Sequence, residues 1–190
     1  MGMFADQGMN KRKGGEGGIY FKPGWYLVEI LRCKQGRTHA SKGSKPFFAV
    51  DFNIIESDNP ERRPGTPVGF MVTVDKWPDL AYGNIADFMR AALCAKLAEE
   101  TKGEVILDPL KVAGTDDDPL ENDATADKFG TENDESIGVK LRVFAFEKEK
   151  AQSEGVFTHH RWFVPGAKID KGEAEKEARE AEAKKSKKAS

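Results

Sequence analysis

Between Lys34 and Lys45 the segment KQGRTHASKGSK carries four basic side chains, Lys34, Arg37, Lys42 and Lys45, and no acidic one, and Phe47 follows it closely. Further on, GVKLRVFAFEKEK interleaves Arg142 with Phe144 and Phe146, and VFTHHRWFVPG sets Phe157, His159, Arg161 and Phe163 at alternate positions. Trp77 stands between Lys76 and Pro78. Cationic groups hold phosphates and open rings stack on bases, each stack worth about 1 to 3 kcal/mol, so these two residue types together suit a single-stranded nucleic acid. Plainer readings compete. A Lys/Gly/Ser stretch is commonly a solvated loop, and Phe144, Phe146 and Phe163 could instead form a satellite core beneath the acidic segment described below.

Other chemistries lack their residues. There is no Walker A sequence, no GxSxG, no HExxH and no paired CxxC. DDDPLENDATAD has no glycine at the sixth position of a calcium loop and no flanking helices. The pair His159-His160 has no third ligand spaced nearby, so neither a metal nor another cofactor is expected. Cys33 and Cys94 lie far apart in apolar settings and read as buried reduced thiols. No enzymatic activity is expected; a magnesium nuclease is the weakest of three functional readings, because most carboxylates lie in a low-complexity stretch.

That stretch explains the charge balance. The chain totals -2, but Gly103 to Ile137 holds eleven acids against two lysines, a net -9 that leaves +7 for the rest. An acidic insert thus sits in a mildly basic domain. With no apolar membrane span and no signal-peptide core near the start, a cytoplasmic location is expected.

The elements that must position the candidate groups follow from periodicity. Residues 1–18, rich in Gly and Lys, read as a flexible arm. WYLVEILRC places Tyr26, Val28 and Ile30 on one face, PFFAVDFNIIES does so for Phe48, Val50, Phe52 and Ile54, and TPVGFMVTVD for Val68, Phe70, Val72 and Val74. NIADFMRAALCAKLAEE changes to helical spacing, with Asn84 as N-cap and Gly103 past its end. GVKLRVFAFEKEK is a fourth strand with Val139, Leu141, Val143 and Ala145 inward, and VFTHHRWFVPG a fifth in which the face of Trp162 is open. The insert 103–137 reads as a long surface loop in which EVILDPLKV could pack back. Residues 167–190 read as a charged tail that could form a helix but buries nothing.

Three strands, one helix and two strands, spanning residues 19–166, is the order of a mainly β five-stranded OB-fold barrel, with the helix plugging one end. That fold binds ligands around strands two and three and clamps them with the loops joining strands one to two and four to five. Here these would be KQGRTHASKGSK and EKEKAQSEG, expected to rise on the same side of the barrel.

The runs GWYLVEILRCK, PFFAVDFNIIES, PVGFMVTVD and GNIADFMRAAL, with the basic Gly/Ser loop among them, resemble the OB-fold single-stranded DNA-binding proteins of bacteriophage replication modules. The resemblance covers roughly Ile19 to Glu100 and resumes from Gly138 to Pro165. It implies sequence-nonspecific coating of exposed DNA during phage replication or recombination, in the host cytoplasm and without a cofactor. Many such proteins end in an acidic tail that recruits partners and competes with DNA, whereas this chain ends KKSKKAS. The internal insert is therefore expected to do that work, screening the groove or docking replication or recombination proteins. A different class stays open: an OB-fold protein-interaction module, an inhibitor or assembly factor, acting through the insert.

Overall fold

The computed structural model describes residues 19–75, 78–120, 122–149, 156–168, 172, 174–176 and 178–180. The expected arm 1–18, Trp77 and residues 150–155 of the loop between the last two strands lie outside the described residues.

The protein is mainly β. Strands β1 (Gly24–Arg37), β2 (Pro46–Ser57), β3 (Pro67–Thr73), β4 (Lys140–Glu149) and β5 (Val156–Phe163) form one antiparallel sheet in the order β3-β2-β1-β4-β5. Helices α1 (Pro78–Glu100) and α2 (Asp123–Ala126) both fall between β3 and β4, so the single helix expected there has a short companion. The sheet is not closed into a barrel: among the described residues β3 and β5 form the two edges and share no ladder. Side chains span the gap instead. The ring of Phe70 on β3 lies 5.3 Å from that of His160 and 5.2 Å from that of Trp162 on β5. Phe21 packs edge-on to the same two rings, while the Gly69 amide donates to the Ile19 carbonyl at 2.7 Å and Tyr20 bridges to Gly69 in parallel. The entering chain thereby covers part of an edge that would otherwise present unpaired backbone groups.

The inward faces follow the period of two. Tyr26, Val28, Ile30, Phe48, Val50, Phe52, Ile54, Val68, Phe70, Leu141 and Val143 are all buried. In β1 the register slips between Ile30 and Arg32, so Leu31 bulges outward, 48% exposed, and Cys33 takes the next inward position. The face of Trp162 is settled: it is buried, stacked on Phe52 at 5.6 Å. Helix α1 lays Ile85, Phe88, Met89, Ala92 and Ala95 on this core.

Several boundaries differ from expectation. β1 runs through Lys34-Gln35-Gly36-Arg37, so the first third of the basic segment is strand and only residues 38–45 turn. These polar residues still pair, because Gly36 and Arg37 face Phe47 and Pro46 across the hairpin. Helix α1 starts at Pro78, six residues before the expected Asn84 cap; proline suits a first turn because its missing N–H has no intrahelical partner there. Leu80 and Tyr82 in that added turn are exposed, which hides it from a periodicity reading.

The insert is not a featureless surface loop. Pro109, Val112, Phe129 and Ser136 are buried, and Phe129 reaches the ring of Phe88. Arg90, on α1, donates from Nε to both oxygens of Asp118 at 3.0 Å, and this largely buried pair, with amides of Gly114 and Leu120, holds Asp118 ionised below the usual carboxylate range against its desolvation. The Gln35 amide donates to the Phe129 carbonyl, and Lys96 pairs with Glu135. At Gly130 (φ 76°) a Cβ would come 3.2 Å from Lys34 Cα and from the Gln35 amide nitrogen, so the insert's contact with β1 requires glycine. The tail, too, departs from expectation, because Ala174 is buried against Phe144 and Phe146.

His160 and His159 point to opposite sides of β5. His160 as a residue is partly buried, yet its Nε2 is enclosed and has no hydrogen-bond partner among the described residues. Rings of Phe21, Phe70 and Trp162 surround the imidazole, and burial pushes its pKa down to about 3. The unfolded chain, with histidine near 6.5, therefore binds a proton that the folded one refuses. Stability is full above pH 6.5 and drains as pH falls toward 3, by up to about 1.4 kcal/mol per unit. His160→Phe should keep the ring contacts and flatten this limb. Urea midpoints at pH 7 and pH 4 should differ less in the variant than in the parent; an equal difference would remove His160 from the acid response.

Candidate nucleic-acid interface

The register assigns the expected site residues to the outer face of the sheet, opposite the core. On β4 and β5, Arg142 lies across from Phe163, Phe144 from Arg161, Phe146 from His159 and Lys148 from Phe157, and cross-strand partners share a face. All six expected residues of these strands, Arg142, Phe144, Phe146, His159, Arg161 and Phe163, are thus brought together. Neighbouring β1 adds Trp25, the partner of Phe144, which the sequence reading passed over although alternation with Tyr26 puts it outward.

The rings form a stack. Trp25 and Phe144 lie 4.6 Å apart and 25° from parallel, and Phe144 and Phe146 lie 5.4 Å apart at 27°. Phe163 tilts against Trp25 at 5.7 Å, His159 meets Phe146 edge-on at 5.1 Å, and Lys148 Nζ sits 5.2 Å over the Phe146 ring. Cations flank this stack: Arg142 faces Glu56 at 3.9 Å and Arg161 occupies the rung beside Phe144. Phe144 and Phe146 are only 8% and 4% exposed, under Ala174. The satellite-core reading therefore describes the two rings as they stand, but the segment covering them is the C-terminal one and not the insert.

The second group sits at the β1–β2 hairpin. Residues 38–45 form a closed turn: the Thr38 amide donates to the Lys45 carbonyl at 2.8 Å and the Lys45 amide to Thr38 Oγ1 at 2.9 Å. A 3-10 turn, Ala40–Lys42, is capped by His39 and ends at Gly43 in the left-handed region. Arg37 donates to the Ser44 carbonyl at 2.9 Å, and Lys45 pairs with Asp75. Lys34, Arg37 and Lys42 are exposed; Phe47 is partly buried, its ring 3.1 Å from where a Gly36 Cβ would stand, so it lies flat over the strand. Between the groups Arg32 pairs with Asp51 at 2.5 Å.

These two groups lie toward opposite ends of β1, and the expectation that the two loops rise on the same side falls on residues 150–155, outside the described residues. Gly24 pairs with Ala145 toward the β4–β5 end, whereas Arg37 pairs with Pro46. At about 3.3 Å per residue, Trp25 and Gly36 are separated by up to roughly 36 Å along the strand. Trp77 lies outside the described residues and is assigned to neither group.

A hollow of about 260 Å³ between the end of α1 and β4 is lined by Ala95, Ala98, Glu99, Lys102, Lys140 and Val164, without convergent catalytic groups. Among the described residues no cluster of three metal-binding side chains occurs, and no helix is long and apolar enough to cross a membrane. Cys33 and Cys94 are free and buried, and burial pushes their thiols up to about 12 and about 11, outside the range of reactive cysteines. No protein-family model matches the chain, and no curated protein is significantly similar to it.

Proposed function

We propose that this protein is a sequence-nonspecific single-stranded DNA-binding protein of an OB type, serving phage replication or recombination in the host cytoplasm. The observation that carries the reading is the outer face of β1, β4 and β5, where Trp25, Phe144 and Phe146 stack in sequence with Arg142 and Arg161 on the same face. Supporting the OB type are the strand order, the position of α1 and the ring contacts that bridge β3 and β5.

Bases stack on the rings while arginines and lysines hold the phosphates, with no cofactor and no bond made or broken. A strand laid from the aromatic stack toward Lys34, Phe47, Arg37 and Lys42 follows β1, a length in keeping with the roughly 4 to 16 nucleotides one such fold covers. The insert contributes an acidic flank to which replication or recombination proteins dock. It does so as a folded part: deleting Thr115 to Glu135 would remove Asp118 and Phe129 and open the core beside Phe88. Neutralising the exposed Asp116, Asp117, Asp123, Asp127 and Glu132 is the cleaner way to probe it.

Titrating labelled single-stranded and duplex oligonucleotides across salt tests the reading. The single strand should bind more tightly, with affinity falling as salt rises. In Arg37→Gln/Lys42→Gln/Lys45→Gln the slope of log affinity against log salt should shrink by about 0.7 for each phosphate no longer neutralised. An unchanged slope would take the hairpin out of the site. No retardation even at low salt would overturn the DNA reading and favour the protein-interaction module.

A further inference from the structure

The outer face of the sheet is followed rung by rung through the partners of β1. Trp25, across from Phe144, stands at one end, and Lys34 and Gly36, across from Ala49 and Phe47, stand at the other. The rungs between are of a different kind. Arg32 lies across from Asp51 and pairs with it, and Glu29 lies across from Lys140 on one side and Asn53 on the other. Leu27 has Arg142 and Glu56 as its two neighbours, and these meet at 3.9 Å. The strip thus sets three cations, Arg32, Lys140 and Arg142, against three acids, Glu29, Asp51 and Glu56, and on β1, β2 and β4 these rungs carry no aromatic residue. At about 3.3 Å per residue it separates Trp25 from Lys34 by up to roughly 30 Å.

We propose that the binding face is bipartite: a strand engages the aromatic stack at one end and the hairpin at the other, and passes over a strip whose acids silence its cations. The proposal rests on the single-stranded DNA reading and adds how the strand is held. A phosphate approaching Arg32 meets Asp51 beside it, so the pair acts as a dipole and not as a charge, and salt screens the remainder within about 10 Å. An arginine neutralised by a carboxylate also displaces no counterions from the strand, which removes the main electrostatic gain. Without rings the strip offers no stacking either. The hairpin differs: Arg37 is held by the Ser44 carbonyl and not by a carboxylate, and Lys34 faces Ala49, so both keep their charge for a phosphate.

The test uses the full chain and Asp51→Asn/Glu56→Gln, which keeps side-chain shape and removes both carboxylate charges; thermal melts establish that each folds. Each is titrated across salt with labelled oligothymidylate of about 16 nucleotides, the upper reach of one such fold. Two further ligands have one third of that strand replaced by an uncharged, base-free glycol spacer of equal length, either centrally or at one end. The parent should bind the continuous and centrally spaced strands within about threefold of each other, and the end-spaced strand at least about tenfold more weakly, because two linked subsites far exceed either alone. The slope of log affinity against log salt should be the same for the first two. In the double variant the slope for the continuous strand should steepen by about 1.4, or 0.7 for each arginine released, and the central spacer should now cost affinity. A central spacer as costly to the parent as a terminal one would overturn the bipartite site in favour of a continuous groove. An unchanged slope in the double variant would overturn the silencing by Asp51 and Glu56. No binding of any strand by either chain at low salt would overturn the nucleic-acid reading itself, and this proposal with it.

Discussion

Replacing Phe88 by alanine should lower the unfolding free energy by about 3 to 5 kcal/mol, the usual range for deleting a buried aromatic ring. Phe88 is fully buried and its ring lies within 6.2 Å of those of Phe48, Phe52, Phe70, Phe129 and Trp162, drawn from β2, β3, the insert and β5. It thereby ties α1 to four other elements across the open side of the sheet, as many as Trp162 joins from β5. Domains of this size are typically stable by about 5 to 15 kcal/mol, so the variant gives up a large share. Urea unfolding followed by circular dichroism measures it. A loss below about 1 kcal/mol would show that α1 does not plug the core as described.

The second large effect concerns binding. Trp25→Leu/Phe144→Leu keeps smaller apolar side chains beneath Ala174 and removes two π faces, so stability should fall by less than the roughly 3 to 5 kcal/mol that truncating one such ring to alanine costs. Affinity for a single strand should nevertheless fall by about 1 to 3 kcal/mol per ring, roughly five- to 150-fold each. Arg32→Gln serves as the contrast: its guanidinium already pairs with Asp51 on the strip between the two groups, and its loss should cost little. Full affinity in the leucine double variant would mean that the rings are only a satellite core.

Much of the architecture was legible in the chain because strands with one buried face advertise it. Tyr26, Val28 and Ile30, or Phe48, Val50, Phe52 and Ile54, alternate without interruption, and all are buried. What escaped has local causes. The bulge at Leu31 breaks the period with a residue as apolar as its neighbours. The first turn of α1 buries only Ala81, while Leu80 and Tyr82 face solvent. The insert conceals its anchoring because few residues bury, Val112 and Phe129 among them, set apart by turns and surrounded by acids.

The candidate site was legible in its residues and less so in its arrangement. Alternation in KLRVFAFEKEK and VFTHHRWFV grouped Arg142, Phe144 and Phe146 on one side of their strand and Phe157, His159, Arg161 and Phe163 on one side of theirs, but only the register shows that both are the same outer face. Separation of the two residue groups depends on how β1 divides its length between β4 and β2, information carried by pairing and not by any single strand. The covering of Phe144 and Phe146 was hidden because alanines in a Glu/Lys-rich segment give no hydrophobic signal.

Photo-crosslinking to an oligonucleotide carrying a photoreactive thymine analogue, followed by peptide mapping, tests the central claim most directly. Adducts should fall on Trp25, Phe144, Phe146 and Phe163, with a second set near Phe47. Adducts confined to other surfaces would contradict it.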